Sequence, residues 1–347
     1  MLIRSARPED LESLLQLSAL LPPGMTSMPF DRPTWVKKLE LVQESLSETP
    51  RTDTESVYLL VMEEPESGKI VGTAGIVAGV GLTRPFYNYK LSKDMKASEA
   101  LGIRVISNLL NLVNDFTGET ELISLFLMPE YRSRFGGQFL SRCRYVFMSD
   151  FPERFSDIVF AEIRGWLDEK QSSPFWEHLG QKFFNLPFDK ADFISAVNGS
   201  QFISDLMPRF PVYLELLPEA AVKVIGRPHD DAVPARKLLE KEGFQYKGTI
   251  DIFDAGPVMQ CERENIESIR NTRQVTVQGL SDSTGSSDEA TEAMCIVSNG
   301  RLANYRLTLS PVQYHDDKNI TVSARAAQLL EVVAGDKVRI LELRSRS

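Results

Sequence analysis

The chain has 347 residues, of which 42% are hydrophobic and 25% charged, and its formal net charge is −9. This length predicts two domains or one large core with an appendage, and the composition is typical of a globular protein. The negative charge argues against a general nucleic-acid binder. No apolar run approaches the roughly 18–20 residues that span a bilayer, and the N-terminus has no signal-peptide core. We therefore expect neither a nucleic-acid nor a membrane partner.

The cysteine content indicates the compartment. Cys143, Cys261 and Cys295 are widely spaced and odd in number. Such a set favours a reducing compartment and has no metal-ligand spacing. The sequence therefore predicts a cytoplasmic protein without a metal site.

The first third of the chain predicts alternating elements. In order, these are a strand at 2–7, a helix that begins at Pro8, a helix at 34–47, and two strands at 57–62 and 70–80. Residues 82–96 are predicted to be an irregular aromatic segment. Leu101, Val105, Leu109 and Leu112 have helical spacing, so that a helix is expected over 98–114.

The central stretch, residues 121–140, predicts an apolar strand, a short basic turn with Gly136 and Gly137, and a helix. The free N–H groups and the dipole at such a helix start favour an anion. The turn has neither the P-loop spacing nor the three glycines of a dinucleotide fingerprint. From these residues alone, a pyrophosphate site and an ordinary strand–helix connection with surface arginines stay equally open.

The second half predicts a strand at 157–163, mainly helical structure at 190–225, a helix at 233–242 and a strand at 246–253. Residues 278–292 are rich in Ser, Thr, Asp and Gly, which predicts a linker or flexible loop. The tail beyond it predicts a small β unit. We therefore expect an enzyme-like region at 1–277, the linker at 278–292 and the β unit at 293–347. A weak internal repeat suggests a duplicated half-domain at about 200–277, with coincidence as the alternative.

Two further groups of residues can carry chemistry. His229 lies in a loop bounded by Gly226 and Pro228 ahead of a helix, where a side chain can reach a cleft; the alternative is a solvated loop histidine. Glu162, Asp251 and Asp254 are carboxylates near strand ends, which suit a cationic substrate such as a guanidinium. Their alternative role is an ordinary salt bridge.

The turn resembles the acyl-CoA motif of the GNAT acyltransferase superfamily, with Arg132 in its first position, Gly137 in its last, and Phe135 as a departure in the middle. More widely, the chain resembles the arginine N-succinyltransferase family. The matching segments run in order over most of residues 1–275, namely GMTSMP at 24–29, PFYNY at 85–89, LFL at 125–127, SPFW at 173–176, ADF at 191–193, LMP at 206–208, PAR at 234–236, LEKEGF at 239–244 and IDIFDAGP at 250–257.

This resemblance implies an α+β, GNAT-like acyltransferase fold with a mixed, mainly antiparallel sheet and flanking helices, to which the C-terminal β unit is added. It implies transfer of a succinyl group from succinyl-CoA to the α-amine of L-arginine. His229 matches the family's catalytic proton donor. The residues expected to bind CoA are Leu125, Leu127, Arg132, Gly136 and Gly137, and the Leu125 backbone N–H is expected to contact the thioester oxygen.

Several alternatives stay open at this point. Other interpretations are an N-acyltransferase for ornithine or another amine, and a non-catalytic acyl-CoA or amino-acid sensor on the same fold. The expected partners are succinyl-CoA and L-arginine, and we expect no permanently bound cofactor. The chain is expected to form a homo-oligomer or a hetero-oligomer with a related subunit. Arg84, Arg164 and Arg236 are candidates for reading the succinyl carboxylate.

Overall fold

The computed structural model describes residues 1–21, 25–132, 135–198, 201–208, 210–281 and 292–343. The strands are β1 Leu2–Ser5, β2 Ser56–Glu64, β3 Lys69–Ala78, β4 Asn88–Ser98, β5 Ile103–Val113, β6 Thr120–Leu127, β7 Ile158–Glu162, β8 Val212–Tyr213, β9 Gln245–Ile250, β10 Pro257–Glu262, β11 Arg273–Ser281, β12 Glu292–Ser298, β13 Arg306–Tyr314, β14 Asn319–Ser323 and β15 Lys337–Glu342. The helices are α1 Leu11–Ser18, α2 Arg32–Ser45, α3 Gly136–Asp150, α4 Pro174–His178, α5 Gly180–Phe184, α6 Phe188–Asn198, α7 Gln201–Leu206, α8 Glu219–Val222, α9 Val233–Lys241, α10 Glu267–Asn271 and α11 Ala324–Leu330.

The described strands join into one sheet in the order β12-β15-β11-β14-β13-β1-β2-β3-β6-β7-β10-β9-β4-β5-β8. Nearly all neighbours are antiparallel; β6–β7 and β11–β14 are the parallel pairs among these strands. Helix α3 packs on one face of the central strands, with Phe139, Leu140, Cys143 and Phe147 in the main core. Helices α1 and α2 pack on the other face through Leu14, Trp35 and Leu39. The expected α+β fold, with a mixed, mainly antiparallel sheet, flanking helices and an added C-terminal β unit, is confirmed.

Strands β6 and β7 separate after a short paired segment. Their register holds only two pairs, Thr120 with Val159 and Glu121 with Phe160. On its other side β6 pairs with β3. The register of this pairing shifts, so that Ser124 and Leu125 have no partner residue in β3. Two strands that run parallel and then diverge leave a wedge-shaped opening, and a cleft lined by residues of both strands lies at this opening.

Ser124, at the bulge, has a φ of +54°, which is uncommon for a residue other than glycine. Four hydrogen bonds fix it there. The Lys38 Nζ donates to the Ser124 Oγ (3.2 Å), and the Thr73 Oγ1 donates to the Ser124 carbonyl (2.7 Å). The Ser124 N–H donates to the Ser27 Oγ (3.2 Å), and the Ser124 Oγ donates to the Ser27 carbonyl (3.3 Å). Backbone strain of this kind persists only where the surroundings over-determine it. The segment 25–29 therefore holds the shape of β6 from outside the sheet.

The C-terminal strands close on themselves. Because β12 pairs with both β15 and β13, the strands β12, β15, β11, β14 and β13 form a closed ring. Val275, Val297, Ile320 and Ile340 fill its interior with other apolar residues. The small β-rich unit was predicted at 293–347, but β11 extends back to Arg273, so part of the predicted 278–292 linker is a strand through Ser281. Residues 282–291 lie outside the described part, and the domain boundaries and the duplicated half-domain stay predictions.

Two predictions for residues 82–114 were wrong. The segment predicted to be irregular contains β4, and the predicted helix over 98–114 is β5, which pairs with β4 over its whole length. The leucine spacing fits a helix, but Gly102 adopts a φ of +62° in the turn, and the β-branched Ile103, Val105 and Ile106 favour a strand. At 190–225, α6, α7 and α8 are helical as expected, with β8 between them.

Among the described helices, none combines the length and apolar character that a bilayer crossing requires.

Candidate active site

A cleft of about 1530 Å³ opens where β6 and β7 separate. Its walls come from the loop before α2, from α2 itself, from β6 and the turn that follows it, from the end of β7, from the β9–β10 turn and from the start of α9. A volume of this size suits two substrates held side by side. The sequence candidates are therefore best judged by their place in this cleft.

The turn after β6 forms one end of the cleft. Pro129, Glu130 and Arg132 line it together with Leu125. The Arg132 Nε donates to the Leu127 carbonyl (3.0 Å), which anchors the guanidinium at the end of the strand. Leu127 itself is buried in the main core. Of these predicted CoA-binding residues, the structure thus brings Leu125 and Arg132 to the cleft and gives Leu127 a packing role.

Gly136 and Gly137 begin α3, close in sequence to Arg132. The first hydrogen bond of this helix runs from the Phe139 N–H to the Phe135 carbonyl (2.8 Å). A Cβ built on Gly137 meets no heavy atom of the described residues within 4 Å. Packing inside the protein therefore does not require glycine at this position, whereas close approach of a ligand to the helix start does. Neither glycine is among the lining residues of the cleft.

A group of carboxylates lies at the other end of the cleft. Glu55, Glu121, Glu162, Asp251 and Asp254 all line the cleft. Burial raises the pKa of Glu162 well above its usual range, and the charges of Asp251 and Glu121 raise it further. Burial and the charge of Asp251 act in the same way on the pKa of Asp254. Carboxylates that raise one another's pKa in this way favour a cation among them.

Lys38, on α2, lies close to these carboxylates. Burial lowers the pKa of Lys38 to about 8, against a smaller opposing effect of Glu121. Burial likewise raises the pKa of Glu121 to about 8, and Lys38 opposes the change. The Lys38 ammonium donates to the Ser27 carbonyl (2.6 Å) and to the Ser124 Oγ (3.2 Å). Its hydrogen bonds thus support the β6 bulge and go to no carboxylate of the described residues.

The arginine candidates differ in position. Arg84 and Arg164 line the cleft, whereas Arg236 is not among its lining residues and its Nε donates to Glu240 (2.8 Å) one turn along α9. The Arg164 Nη2 donates to the Gln171 Oε1 (3.0 Å). Burial lowers the pKa of Arg164, which stays charged because arginine titrates far above neutrality.

His229 is held by two residues that line the cleft, Arg164 and Asp231. Its N–H donates to the Arg164 carbonyl (2.8 Å), and its Nδ1 accepts from the Asp231 N–H (3.2 Å). Arg164 and Asp231 line the cleft, although His229 itself is not among its lining residues. Burial lowers the pKa of His229, and the Arg164 charge lowers it further. With Nδ1 as acceptor, the neutral ring carries its proton on Nε2.

Sequence reasoning missed Lys38, Asn88 and Glu121. Nothing in the local sequence distinguishes Lys38 from Lys37 beside it, or Asn88 from other polar residues of the aromatic segment. Glu121 stands out in the sequence only as the first residue of the apolar strand. Asn88 and Glu121 are placed by the pairing of β4 and β6 in the sheet, Lys38 is placed by the packing of α2, and a single sequence shows neither. Among the described residues, no group of three or more His, Cys, Asp or Glu side chains is arranged to hold a metal ion.

Two family models cover nearly the whole chain. The model for the arginine N-succinyltransferase beta subunit matches residues 1–268, and the model for the C-terminal domain of that subunit matches residues 273–342. The chain belongs to the arginine N-succinyltransferase beta subunit family.

Individual members of this family agree with the assignment. The chain is 37% identical to arginine N-succinyltransferase of Shigella dysenteriae serotype 1 (strain Sd197) over 99% of its own length and 98% of the relative's. The corresponding protein of Escherichia coli O139:H28 is 36% identical with the same coverage. Among solved structures, arginine/ornithine succinyltransferase subunit AI from Pseudomonas aeruginosa superimposes with a TM-score of 0.88 at 31% identity, over 99% of both chains.

Proposed function

We propose that the protein transfers the succinyl group of succinyl-CoA to the α-amine of L-arginine, which gives N2-succinylarginine and CoA in arginine breakdown. One observation carries this proposal: a single cleft joins an anchored basic turn at one end to a group of carboxylates at the other. The first end suits an acyl-CoA pyrophosphate and the second a cationic amino acid. The names of the family and its relatives support the same reaction.

For the donor, Leu125, Arg132, Gly136 and Gly137 are the residues proposed to bind CoA, with Leu127 as the buried anchor of Arg132. The bulge that Ser124 makes in β6 separates Leu125 from the ladder with β3. A backbone N–H at this position can donate to the thioester oxygen as negative charge develops on it. Succinyl-CoA is thus a co-substrate, and we propose no permanently bound cofactor.

For the proton steps, His229 is the proposed donor. The α-ammonium first loses one proton to solvent, and the amine nitrogen then attacks the thioester carbon. The C–S bond breaks, and the imidazolium form of His229 donates a proton from Nε2 to the leaving thiolate. The second proton lost by the nitrogen restores the imidazolium, so that the reaction releases one proton in all. Direct attack requires both substrates in the cleft at once.

The proposed setting is cytoplasmic, which the three unpaired cysteines support. A homo-oligomer, or a hetero-oligomer with a related subunit, is proposed because the β4–β5 hairpin exposes a group of apolar side chains. Its members are Met95, Leu101, Ile103, Val105 and Ile106, each at least half exposed. Exposed apolar patches of this kind mark interaction surfaces.

The test is thiol release from a panel of acyl-CoAs with arginine, ornithine and lysine as acceptors. We expect release with succinyl-CoA and arginine, and a loss of roughly a hundredfold or more in turnover for His229→Ala with unchanged CoA affinity. His315→Ala, in the C-terminal barrel, is the matched control. A preference for ornithine would support the alternative acceptor, which the name of the Pseudomonas aeruginosa subunit also includes. The absence of release with every pair would favour a sensor.

A further inference from the structure

Glu121 and Glu162 differ from the other carboxylates of the cleft because they stand on the two strands that diverge. Glu121 pairs with Phe160 at the last register position of β6 and β7, and Glu162 lies two residues beyond that pair. Both side chains line the cleft. The pair is therefore positioned across the opening of the sheet and can approach a ligand from two sides.

Two of the other three carboxylates at this end, Asp251 and Asp254, accept hydrogen bonds from backbone N–H groups. The Asp251 Oδ1 accepts from the N–H groups of Phe253 (2.7 Å) and Asp254 (2.8 Å). The Asp254 oxygens accept from the N–H groups of Gly165 (2.7 Å) and Gly256 (2.8 Å). These bonds build the β9–β10 turn and tie it to the end of β7. Asp251 and Asp254 thus have a structural role that Glu121 and Glu162 lack.

Glu121 and Glu162 have few donors of their own. Among the described residues, Glu162 accepts one hydrogen bond, from the Asn88 Nδ2 (2.8 Å), and Glu121 accepts none. Asn88 is fully buried, and its Oδ1 accepts no hydrogen bond from any described residue. Buried polar atoms are nearly always paired in native proteins. Glu121, the Asn88 Oδ1 and the second carboxylate oxygen of Glu162 therefore accept no hydrogen bond from the described part of the chain.

The neighbouring cations do not supply those donors. Lys38 donates to Ser27 and Ser124, and Arg164 donates to Gln171. Arg84 acts electrostatically on Glu55, at the margin of the group. A planar cation with several N–H groups suits these acceptors better than an ammonium, because a guanidinium offers five donors in a fixed fork whereas an ammonium offers three.

We propose that Glu121 and Glu162, with the Asn88 Oδ1, bind the guanidinium of the acceptor and so make the enzyme select arginine. This inference rests on the proposed function and identifies the residues that bind the guanidinium at the end of the arginine side chain. It assigns Asp251 and Asp254 to support of the site rather than to contact.

The length of the strand fits this assignment. Glu121 precedes Leu125 by four residues, which is about 13 Å along β6 at the usual rise per residue. The Glu121 side chain and an extended arginine together span this distance, so that the α-amine reaches the thioester beside Leu125 while the guanidinium lies at Glu121 and Glu162. The shorter ornithine side chain would leave the pair unfilled.

The decisive variant is Glu162→Gln, which removes the charge and keeps the shape. The KM for arginine should rise roughly thirtyfold or more, as for a buried charge that loses its partner, with kcat and the KM for succinyl-CoA nearly unchanged. The ratio of kcat/KM for arginine to that for ornithine should fall by a similar factor. Glu219→Gln, an exposed carboxylate paired with Lys223, is the matched control and should change none of these values.

A second measurement does not depend on turnover. 5-Guanidinopentanoic acid, which is arginine without its α-amine, should bind the wild-type enzyme in calorimetry and bind Glu162→Gln and Glu121→Gln at least tenfold more weakly. If wild type is active while both variants keep the arginine KM, the selectivity and the affinity for this probe, the inference is overturned. If wild type releases no CoA with arginine, the proposed function itself fails.

Discussion

At the scale of single residues, backbone contacts fix the ring of His229, the proposed proton donor. The Asp231 N–H occupies Nδ1, and the Arg164 carbonyl holds the His229 backbone. A ring fixed in this way presents one defined tautomer to the cleft. Mutation of a residue that holds the loop would therefore change the chemistry without removing the imidazole.

The titration of His229 provides a direct check. Burial and the Arg164 charge both lower its pKa from the usual 6.5. We expect the His229 ring protons to titrate in NMR with a midpoint below 6.5, and Arg164→Gln to raise that midpoint because a positive charge is removed. Because the pKa of His229 is lower in the folded than in the unfolded protein, the free energy of unfolding decreases as the pH falls from 6.5 through the folded-state pKa. A midpoint at or above 6.5 in wild type would contradict this picture.

The open position of Gly137 predicts how substitutions there affect the binding of succinyl-CoA. Because its Cβ position is open, Gly137→Ala and Gly137→Val should fold with nearly unchanged Tm. Each added group would block approach to the N–H groups of the helix start. The KM for succinyl-CoA should therefore rise from alanine to valine, by roughly tenfold or more for valine, with a constant arginine KM. An unchanged KM for succinyl-CoA in both variants would remove Gly137 from the site.

At the scale of elements, Asp150 ties the end of α3 to the C-terminal barrel. Its oxygens accept from the Ser298 Oγ (2.6 Å), the Tyr305 hydroxyl (2.8 Å) and the Arg339 Nε (2.8 Å). Three donors from three parts of the barrel thus converge on one buried carboxylate. The helix that begins at the proposed CoA site is thereby fixed at its other end.

Asp150→Ala should therefore destabilise the protein by about 3–5 kcal/mol, because Arg339 loses its partner in a largely buried position. Thermal and denaturant unfolding would measure the loss. Asp157→Ala is the matched control, since that side chain is almost fully exposed beside Arg263 and should change the free energy of unfolding by no more than about 0.5 kcal/mol. Equal effects of the two variants would show that the convergence at Asp150 contributes nothing special.

The elements also show where sequence reasoning succeeds. The strand, turn and helix around Gly137 were predictable because local signals, an apolar run followed by a glycine-bearing turn, coincide there with the true structure. Strand β5 was missed because its leucines repeat at helical spacing while its partner strand decides the conformation. Glu121 and Glu162 come together only through the β6–β7 register. Pairing between distant segments leaves no mark in a single sequence.

At the scale of the whole molecule, the enzyme-like region and the barrel share one sheet. Strand β13 of the barrel pairs with β1, where Leu2 lies opposite Thr308 and Arg4 opposite Arg306. Tyr305 packs edge-on against Phe147 of α3 (ring centroids 4.7 Å apart). The C-terminal unit is therefore an extension of the main sheet and covers part of its core.

A chain ending at residue 272 should accordingly fail to fold stably. It would lose the neighbour of β1 and expose the apolar surface around Phe147, which favours aggregation through the open strand edge. Circular dichroism and size-exclusion chromatography of the truncated chain would report this outcome. A monomeric, cooperatively folded product would instead show that the region before 273 is an independent domain.

The pairing of β1 with β13 also has a consequence for synthesis. The Thr308 Oγ1 donates to the Met1 carbonyl (2.9 Å) across a separation of 307 residues. At roughly 5–20 residues per second on the ribosome, β1 waits about 15–60 s for β13, the strand that completes its pairing. During that interval its outer edge is open to other nascent chains. Strand β1 is thus synthesised long before β13 and completes its pairing only after β13 has emerged.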